Sequence, residues 1–305
     1  MSWMSKSRGM FVCGVALSAS AATYLYRQSK SSDGSQPFIN EQVPGQKRKP
    51  NFASSMPLGK VLASWTTNFE PTTKWDDNWD RRSPSIMVKP SKIAEDKDEK
   101  DVENELKKVT PTATRHLFLI RHGQYIDAEH DIGRILTKLG QEQADMTGKR
   151  LKELSHPFSV IVNSTMTRAT ETADIIAKHL PDVPRKSTDL LREGAPIPPE
   201  PPIGSWRPEK NQFYTDGARI EAAFRQYFHR AEPTQEKDSY ELLVCHANVI
   251  RYFVCRALQL PPEAWLRMSL HHASVTWVTI RPSGRVHIKT IGDCGHMPPE
   301  KLSVV

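Results

Sequence analysis

The sequence predicts an α/β fold: a single three-layer α/β/α domain with a mostly parallel sheet and an antiparallel edge, preceded by an N-terminal membrane helix and a flexible linker. Beyond residue 115, short apolar runs alternate with helical patterns, which is typical of such domains. Two extended runs near the end flank Pro282-Ser-Gly284, which indicates a hairpin. We therefore predict an anchor or targeting segment over 1–30, a linker over 31–110 and a catalytic domain over 111–305.

Composition excludes several classes of protein. Of 305 residues, 38% are hydrophobic and the mean hydropathy is −0.54, enough for one substantial core but not for a polytopic membrane protein. Four of the seven net positive charges lie within residues 1–32, so we predict no nucleic-acid partner. The four cysteines form no CxxC pair, which favours reduced thiols over disulfides or a zinc site.

The N-terminal segment has the features of a membrane anchor. No charged side chain occurs from Gly9 to Tyr26, and basic residues flank this run on both sides. As a helix it would extend roughly 27 Å, just short of a hydrocarbon core of about 30 Å. A cleaved import sequence and a secretory signal peptide are the alternatives. We predict a mitochondrial address, with the outer membrane favoured over the inner.

The predicted linker contains one unusual peptide. Its first part is rich in Ser, Pro, Lys and Gln, and residues 92–108 mix charges as a solvated helix or spacer does. The peptide WDDNWD at 75–80 places two tryptophans in a segment without a core of its own. These rings pack either on their own domain or on a neighbouring subunit. We predict the second, a homo-oligomer held by Trp75, Asp76, Asn78, Trp79 and Asp80.

The elements of the catalytic domain follow from apolar patterning and start signals. Thr137 begins a helix, and Ser164 is the expected N-cap of the next one. Residues 220, 223, 224, 227 and 228 share one apolar helix face. We predict strands over 116–120, 158–162, 241–245, 275–280 and 285–291, and helices over 137–154, 167–179, 249–260 and around 220–228.

Cationic residues follow three of these predicted elements. Arg121-His122-Gly123 comes directly after the first strand, and His246 comes directly after the third. In open α/β sheets ligands bind beyond the carboxyl ends of the strands, so both histidines are expected to face one crevice. Arg168 lies in the first turn of a helix, where backbone N–H groups and a guanidinium together favour an anion. Each residue alone has an ordinary structural explanation; their combination predicts an anion site.

Five short blocks follow one another in the predicted domain: RHGQ at 121–124, LTKLGQEQA at 136–144, STMTRATETA at 164–173, LRE at 191–193 and VCH at 244–246. Their order resembles the histidine phosphatase (phosphoglycerate mutase-like) superfamily. The anchor, the WDDNWD peptide, LREGAPIPP at 191–199 and CHANVIRYFVCRALQ at 245–259 are similar to its mitochondrial serine/threonine phosphatases.

The resemblance implies a metal-free and cofactor-free mechanism. His122 would be the nucleophile and form a phosphohistidine, and Glu193 would be the general acid. Arg121, Arg168 and a protonated His246 would be catalytic and hold the phosphate. Such a set neutralises a phosphate dianion without a cation cofactor.

Two positions depart from the family pattern. Ala128 stands where members of the superfamily carry Asn, and Ala247 stands where they carry Gly after the second histidine. One phosphate contact is therefore missing or replaced, and Asn248 is a candidate for supplying the lost amide. None of the predicted catalytic positions is substituted.

The segment after Glu193 favours a protein substrate. Its prolines, Ala-Pro-Ile-Pro-Pro-Glu-Pro-Pro, form a stiff extended wall rather than a closing lid, and an open crevice suits a polypeptide. We predict a phosphatase acting on phospho-Ser/Thr of phosphoprotein substrates. A phosphoglycerate mutase or small-metabolite phosphatase is one alternative, distinguished by its substrate. A membrane-tethered scaffold is the other, and it requires that His122→Ala leave the protein's effects intact.

Overall fold

A computed structural model describes residues 71–94, 98–204, 206 and 208–304. The predicted membrane anchor and the first part of the linker lie outside the described residues. One compact unit spans Glu70–Val305, so the WDDNWD peptide belongs to the same unit as the predicted catalytic domain. Within the described part of the chain, no helix combines the length and apolar character needed to cross a bilayer.

A six-stranded mixed sheet forms the centre of this unit. The sheet confirms the predicted mostly parallel arrangement with an antiparallel edge. Three of the five pairings between neighbouring strands are parallel, and the two pairings at one edge are antiparallel. The strands are β1 (Arg115–Arg121), β2 (Phe158–Ser164), β3 (Arg185–Thr188), β4 (Ser239–Cys245), β5 (Val275–Ile280) and β6 (Val286–Asp293), in the spatial order β3-β2-β4-β1-β5-β6.

Helices cover both faces of the sheet. Alternate residues of β1 enter two different apolar clusters. Leu117 and Leu119 pack with residues of the helices at 210–227 and 247–257, whereas Phe118 and Ile120 pack with residues of the helices at 138–153 and 167–177. This alternation produces the three layers. The α-helices are α1 (Pro84–Met87), α2 (Glu99–Val109), α3 (Lys138–Glu153), α4 (Thr167–Ala177), α5 (Lys210–Tyr227) and α6 (Ala247–Ala257); 3-10 turns cover Pro90–Lys92, Asp131–Gly133, Asp189–Leu191, Pro262–Arg267 and Pro299–Lys301.

Most of the predicted elements are present, with three corrections. Thr137 caps α3 as predicted, because its side chain accepts the Gly140 N–H at 3.0 Å. The predicted cap at Ser164 is wrong: Ser164 is the last residue of β2, and Met166 precedes α4. Helix α6 begins at Ala247, two residues earlier than predicted. Strand β3 was not predicted because Arg-Lys-Ser-Thr contains no apolar residue; it lies at the sheet edge.

Candidate active site

Two neighbouring parallel strands bring two histidines together. β1 and β4 end in register, Arg121 beside Cys245, and each is followed by a histidine. The His122 N–H donates to the Cys245 carbonyl at 3.0 Å, and the rings of His122 and His246 are 5.1 Å apart between centroids. Both side chains are buried. The predicted juxtaposition at the carboxyl edge of the sheet is therefore present.

The hydrogen bonds of His122 fix its tautomer. Nδ1 lies 2.8 Å from the Gly123 carbonyl oxygen, which only accepts, so Nδ1 carries the proton. Nε2 is thereby left with a lone pair, to which Arg168 Nε donates at 3.1 Å. Burial, followed by the positive charge of nearby groups, holds the pKa of His122 well below its usual value. The ring is therefore neutral, as a nitrogen nucleophile must be.

His246 is also neutral in the protein alone. Its Nε2 lies 2.8 Å from Ser164 Oγ, which accepts the Met166 N–H at 3.2 Å and has its own proton to donate. Burial, and then Arg168 and other arginines, lower the pKa of His246 well below its usual value. The prediction of a protonated His246 concerns the phosphate-bound state, so it stays a prediction. A bound phosphate dianion would oppose these charges and raise that pKa.

Two buried arginines line the same cluster. The Arg168 guanidinium is oriented by Asp131 at 3.5 Å and stacks on the Tyr125 ring, 4.7 Å from its centroid. Arg121 Nη1 donates to the carbonyls of Leu270 (2.6 Å) and Val304 (2.7 Å). Desolvation lowers the pKa of Arg121 to about 10, which leaves it charged at neutral pH.

The cluster contains buried polar atoms that have no protein partner among the described residues. They include Arg121 Nε, His246 Nδ1 and Nε2 of His272, whose ring lies 5.6 Å from that of His122. Buried polar atoms are rarely left unpaired, so unpartnered ones need a reason. An anion such as phosphate, with its several acceptor oxygens, would satisfy the donors in this set.

Glu193 adds a carboxyl group beside the cationic cluster. It is half-buried in the loop after the 3-10 turn Asp189–Leu191, and its oxygens accept N–H groups from Gly194 (3.2 Å) and Asn248 (3.4 Å). Desolvation raises the pKa of Glu193 against the opposing effects of these hydrogen bonds and of Arg168 and Arg121. A carboxyl with a raised pKa is suited to donating a proton near neutral pH.

Comparisons with known proteins agree with this geometry. The model of the histidine phosphatase superfamily (branch 1) matches residues 117–195 and 200–293. The chain belongs to the histidine phosphatase superfamily. All five sequence blocks lie inside the matched ranges, and these blocks contain both arginines of the cluster, His122, His246 and Glu193.

Relatives within the superfamily share most of this chain. It is 59% identical over 233 residues to a protein of Xenopus laevis named serine/threonine-protein phosphatase PGAM5, mitochondrial, with 76% of this chain and 84% of that protein covered. The Homo sapiens protein of that name is 56% identical over 230 residues, covering 75% and 80%. A solved phosphoglycerate mutase of Plasmodium falciparum is 35% identical, covers 62% of this chain and 96% of its own, and has a TM-score of 0.44.

The two departures from the superfamily pattern have different surroundings. At Ala128 the backbone carbonyl accepts a hydrogen bond from Arg134 Nε at 2.7 Å, and Arg134 lies close enough to Arg168 to lower its pKa. The Arg134 guanidinium therefore adds positive charge near Arg168. The Asn248 amide is committed elsewhere: it donates to the Gly194 carbonyl at 3.1 Å. One of its two N–H groups is thus occupied, and the suggestion that Asn248 supplies the lost amide contact stays a prediction.

Sequence reasoning missed the C-terminal segment of the site. Ser303 Oγ accepts from Gln143 Nε2 (2.9 Å) and lies 2.9 Å from His272 Nδ1, so it joins α3 to the third histidine of the cluster. Gln143 Oε1 in turn accepts the Gln124 N–H of the loop after β1. The sequence signals at this place were Gln143 in the LTKLGQEQA block and a His-His pair before β5. Neither indicated that the C-terminal segment contributes to the site.

The predicted assembly peptide lies on its own domain in this single chain. Trp79 Nε1 donates to the Gly284 carbonyl at 2.8 Å, and its ring lies 6.0 Å from that of Phe224 on α5. Asp80 is fully buried and pairs with buried Arg230 at 3.5 Å. These contacts correspond to the first of the two arrangements considered for the tryptophans, and they do not reach the catalytic cluster directly.

The other residues of the peptide are more exposed. Trp75 is 36% exposed, and the Asp76 N–H donates to Gln259 Oε1 at 2.8 Å. Asn78 Oδ1 accepts the Ser83 N–H at 3.1 Å, which shapes the turn itself. The peptide thus has one anchored end, at Trp79 and Asp80, and one end that still presents an apolar ring.

Proposed function

We propose that this chain is a mitochondrial, membrane-anchored protein phosphatase that removes phosphate from phospho-Ser/Thr through a phosphohistidine at His122. The observation that carries the proposal is the neutral imidazole, oriented by Gly123, inside a buried cluster with two arginines and beside the raised-pKa carboxyl of Glu193. The relatives' names support the protein substrate and the compartment.

The first step transfers the phosphoryl group from the substrate to His122 Nε2. His122 Nε2 attacks the phosphorus, the bond from phosphorus to the Ser or Thr oxygen breaks, and the Glu193 carboxyl donates its proton to that leaving oxygen. An alkoxide is a poor leaving group, so this proton transfer contributes about 10²–10⁴-fold. Arg121 and Arg168 stabilise the charge on the equatorial oxygens, and Arg168 exchanges its hydrogen bond to Nε2 for one to the phosphate.

The second step returns the enzyme to its starting state. Glu193, now a carboxylate, takes a proton from water as that water attacks phosphorus, and the phosphorus–nitrogen bond breaks. The imidazole regains its lone pair, and inorganic phosphate leaves with the oxygen from water. The two displacements use one nucleophile and one carboxyl, and the proposed mechanism needs no metal or cofactor.

The wall after Glu193 supports a polypeptide substrate. It is tied to the 3-10 turn Pro262–Arg267: Trp265 Nε1 donates to the Ile197 carbonyl at 2.9 Å, and the Glu200 N–H donates to the Glu263 carbonyl at 3.0 Å. A wall held in this way is unsuited to closing over a small metabolite. An open side is what a phosphorylated peptide requires.

The experiment that tests the proposal compares two substrates with one preparation. Phosphate release from a phosphothreonine peptide is measured beside the isomerisation of phosphoglycerate, using the wild type and His122→Asn. We expect release from the peptide, little isomerisation, and loss of the release in the variant. Isomerisation as the faster reaction would favour the mutase, and release unaffected by the variant would exclude His122 as the nucleophile.

We also propose that residues 75–80 assemble the protein into a homo-oligomer. The surface around Phe224, Arg230 and Gly284 binds this peptide within one chain, and the same surface of a second copy offers the same contacts. Exchange between copies would retain the buried Asp80–Arg230 pair. The anchor over 1–30 and its place in the outer membrane rather than the inner are part of the same proposal.

Replacing both tryptophans tests the assembly. We expect Trp75→Ala with Trp79→Ala to lower both the sedimentation coefficient and the specific activity, because the peptide loses its apolar contacts. Tyr214→Ala, at an exposed aromatic residue of α5 outside the peptide, is the matched control. Unchanged sedimentation and activity in the double variant would remove the assembly role.

A further inference from the structure

The loop that carries Glu193 has little regular structure of its own. It leaves the 3-10 turn Asp189–Leu191 at Arg192 and continues into the proline wall. We propose that Asp216 and Arg219 of α5 form a clamp that positions this loop, and with it the general acid. The inference rests on the proposed function, because it concerns how Glu193 reaches the leaving oxygen.

One guanidinium holds the first half of the loop. Arg219 Nη1 donates to the carbonyls of Leu190 (3.2 Å) and Arg192 (2.5 Å), and Nη2 donates to the Glu193 carbonyl (3.1 Å). The side chain is mostly buried, so these charge-assisted hydrogen bonds are only partly screened by water. Three carbonyl groups up to and including that of the acid are thus fixed to one side chain of α5.

A carboxylate holds the second half. Asp216 Oδ2 accepts the Ala195 N–H at 3.0 Å, two residues beyond the acid, while Oδ1 accepts from Arg219 Nη2 at 2.9 Å. The two clamp residues are three apart on the helix, so they face the same side. Glu193 is the last residue that Arg219 holds, and Asp216 holds the chain two residues further on. The Glu193 carboxyl remains directed to the N–H groups of Gly194 and Asn248.

The loop lies directly against the helix backbone. A methyl group at Gly217, between the two clamp residues, would come within 2.4 Å of the Pro196 carbonyl oxygen. Such a distance is shorter than any van der Waals contact, so a side chain at this position must displace the loop. Gly217→Ala therefore moves the acid without removing a charge or a hydrogen-bonding group.

A displaced acid should slow the reaction to an extent that depends on the leaving group, whereas a destabilised fold should not. Protonation of the leaving oxygen matters for an alkoxide and hardly matters for p-nitrophenolate, which is a good leaving group. A displaced Glu193 should therefore slow phosphoryl transfer from a phosphothreonine peptide and spare transfer from p-nitrophenyl phosphate. A damaged fold or phosphate site would slow both.

The test measures kcat/KM, which reports steps up to release of the leaving group, for both substrates. We expect Arg219→Met to lose about 10–100-fold on the peptide, as a displacement of about 1 Å can cost, and less than about threefold on p-nitrophenyl phosphate. Arg219→Lys should recover part of the loss, and Gly217→Ala should show the same selective loss. Arg225→Met is the matched control, because Arg225 is an exposed arginine of the same helix, and Glu221 is its one side-chain partner among the described residues.

The clamp would be contradicted by either of two results in soluble and folded clamp variants. One is an equal loss of kcat/KM on both substrates, and the other is no loss of kcat/KM on either. Should Arg219→Met fail to fold, Arg219→Lys and Gly217→Ala decide by the same criterion. Glu193→Gln separates this inference from the proposed function. A selective loss in Glu193→Gln without one in the clamp variants contradicts only the clamp, whereas no selective loss in Glu193→Gln contradicts the acid itself.

Discussion

The two halves of the catalytic site are built in different ways. The phosphate half, with His122 and His246, extends directly from adjacent strand ends whose backbones are hydrogen-bonded to each other. The acid half, with Glu193, lies on a loop held by side chains of a helix. Strand ends are positioned by the whole sheet, whereas the loop depends on a few polar contacts. The proposed nucleophile is thus positioned by the fold, and the proposed acid by local contacts.

This difference implies that damage to the two halves should change the rates for different sets of substrates. The phosphate half acts on atoms that every substrate shares, so damage to it should be felt by all phosphate esters. The acid half acts on the leaving oxygen, so damage to it should depend on the alcohol that departs. The predictions below test whether the two halves separate in this way.

The largest effect is expected from His122→Asn. Removing the nucleophile closes the covalent route, so kcat/KM should fall by about 10³-fold or more for both a phosphothreonine peptide and p-nitrophenyl phosphate. Steady-state assays on the two substrates measure this. His179→Asn, at a half-buried histidine that bonds to Asp145 away from the site, is the matched control. A loss confined to one substrate would break the division between the halves.

Glu193→Gln should have the next largest effect, and its effect on kcat/KM should be much larger for the peptide. We expect kcat/KM to fall about 10²–10⁴-fold for the phosphothreonine peptide and less than about tenfold for p-nitrophenyl phosphate. kcat should fall for both, because hydrolysis of the phosphohistidine also uses this carboxyl as a base.

The pH dependence of the reaction is a second test of Glu193 as the acid. Burial raises the pKa of Glu193, so the protonated form that donates to the leaving oxygen persists toward neutral pH. Transfer from the peptide, measured in single turnovers, should therefore decline as pH rises through that pKa. The decline should be absent in Glu193→Gln and weak for p-nitrophenyl phosphate. An identical alkaline decline in wild type and variant would assign it to another group.

Ser303→Ala should have the smallest effect, and it should be independent of the leaving group. The variant loses the hydroxyl that joins Gln143 to His272, and so loosens the segment whose Val304 carbonyl orients Arg121. We expect KM to rise about fivefold for both substrates, the equivalent of about 1 kcal/mol for one hydrogen bond. Ser159→Ala, at an exposed serine of β2 with a single backbone contact, is the control. A KM that rises for the peptide alone would mean that the C-terminal segment acts on the leaving group, as the acid half does.

The sequence predicted the phosphate half better than the acid half, for a physical reason. Apolar runs mark buried strands, and parallel strands end at one edge of the sheet, so His122 and His246 were expected together. Glu193 was placed by family resemblance alone, because no local pattern indicates where a loop carboxyl lies. The clamp was missed because Asp216 and Arg219 read as an ordinary charged pair three apart on a helix.

One further miss has the same origin. Ser303, in the C-terminal segment, contacts partners more than 30 residues away through single hydrogen bonds, which leave no periodic signal. The neutral state of His246 in the protein alone was also not evident from the sequence, because it results from burial and from neighbouring arginines. Long-range polar contacts and desolvation depend on the assembled fold, and local patterning does not encode them.

The measurement that most directly tests the account is capture of the phosphoenzyme in Glu193→Gln. Radiolabelled p-nitrophenyl phosphate should load the variant, since the first step needs little acid and the second step lacks its base. We predict label on the His122 peptide that survives base, is released by acid, and is absent when His122 is also replaced by Asn. Continued turnover with no label on the protein, or with label on another residue, would contradict a phosphohistidine at His122.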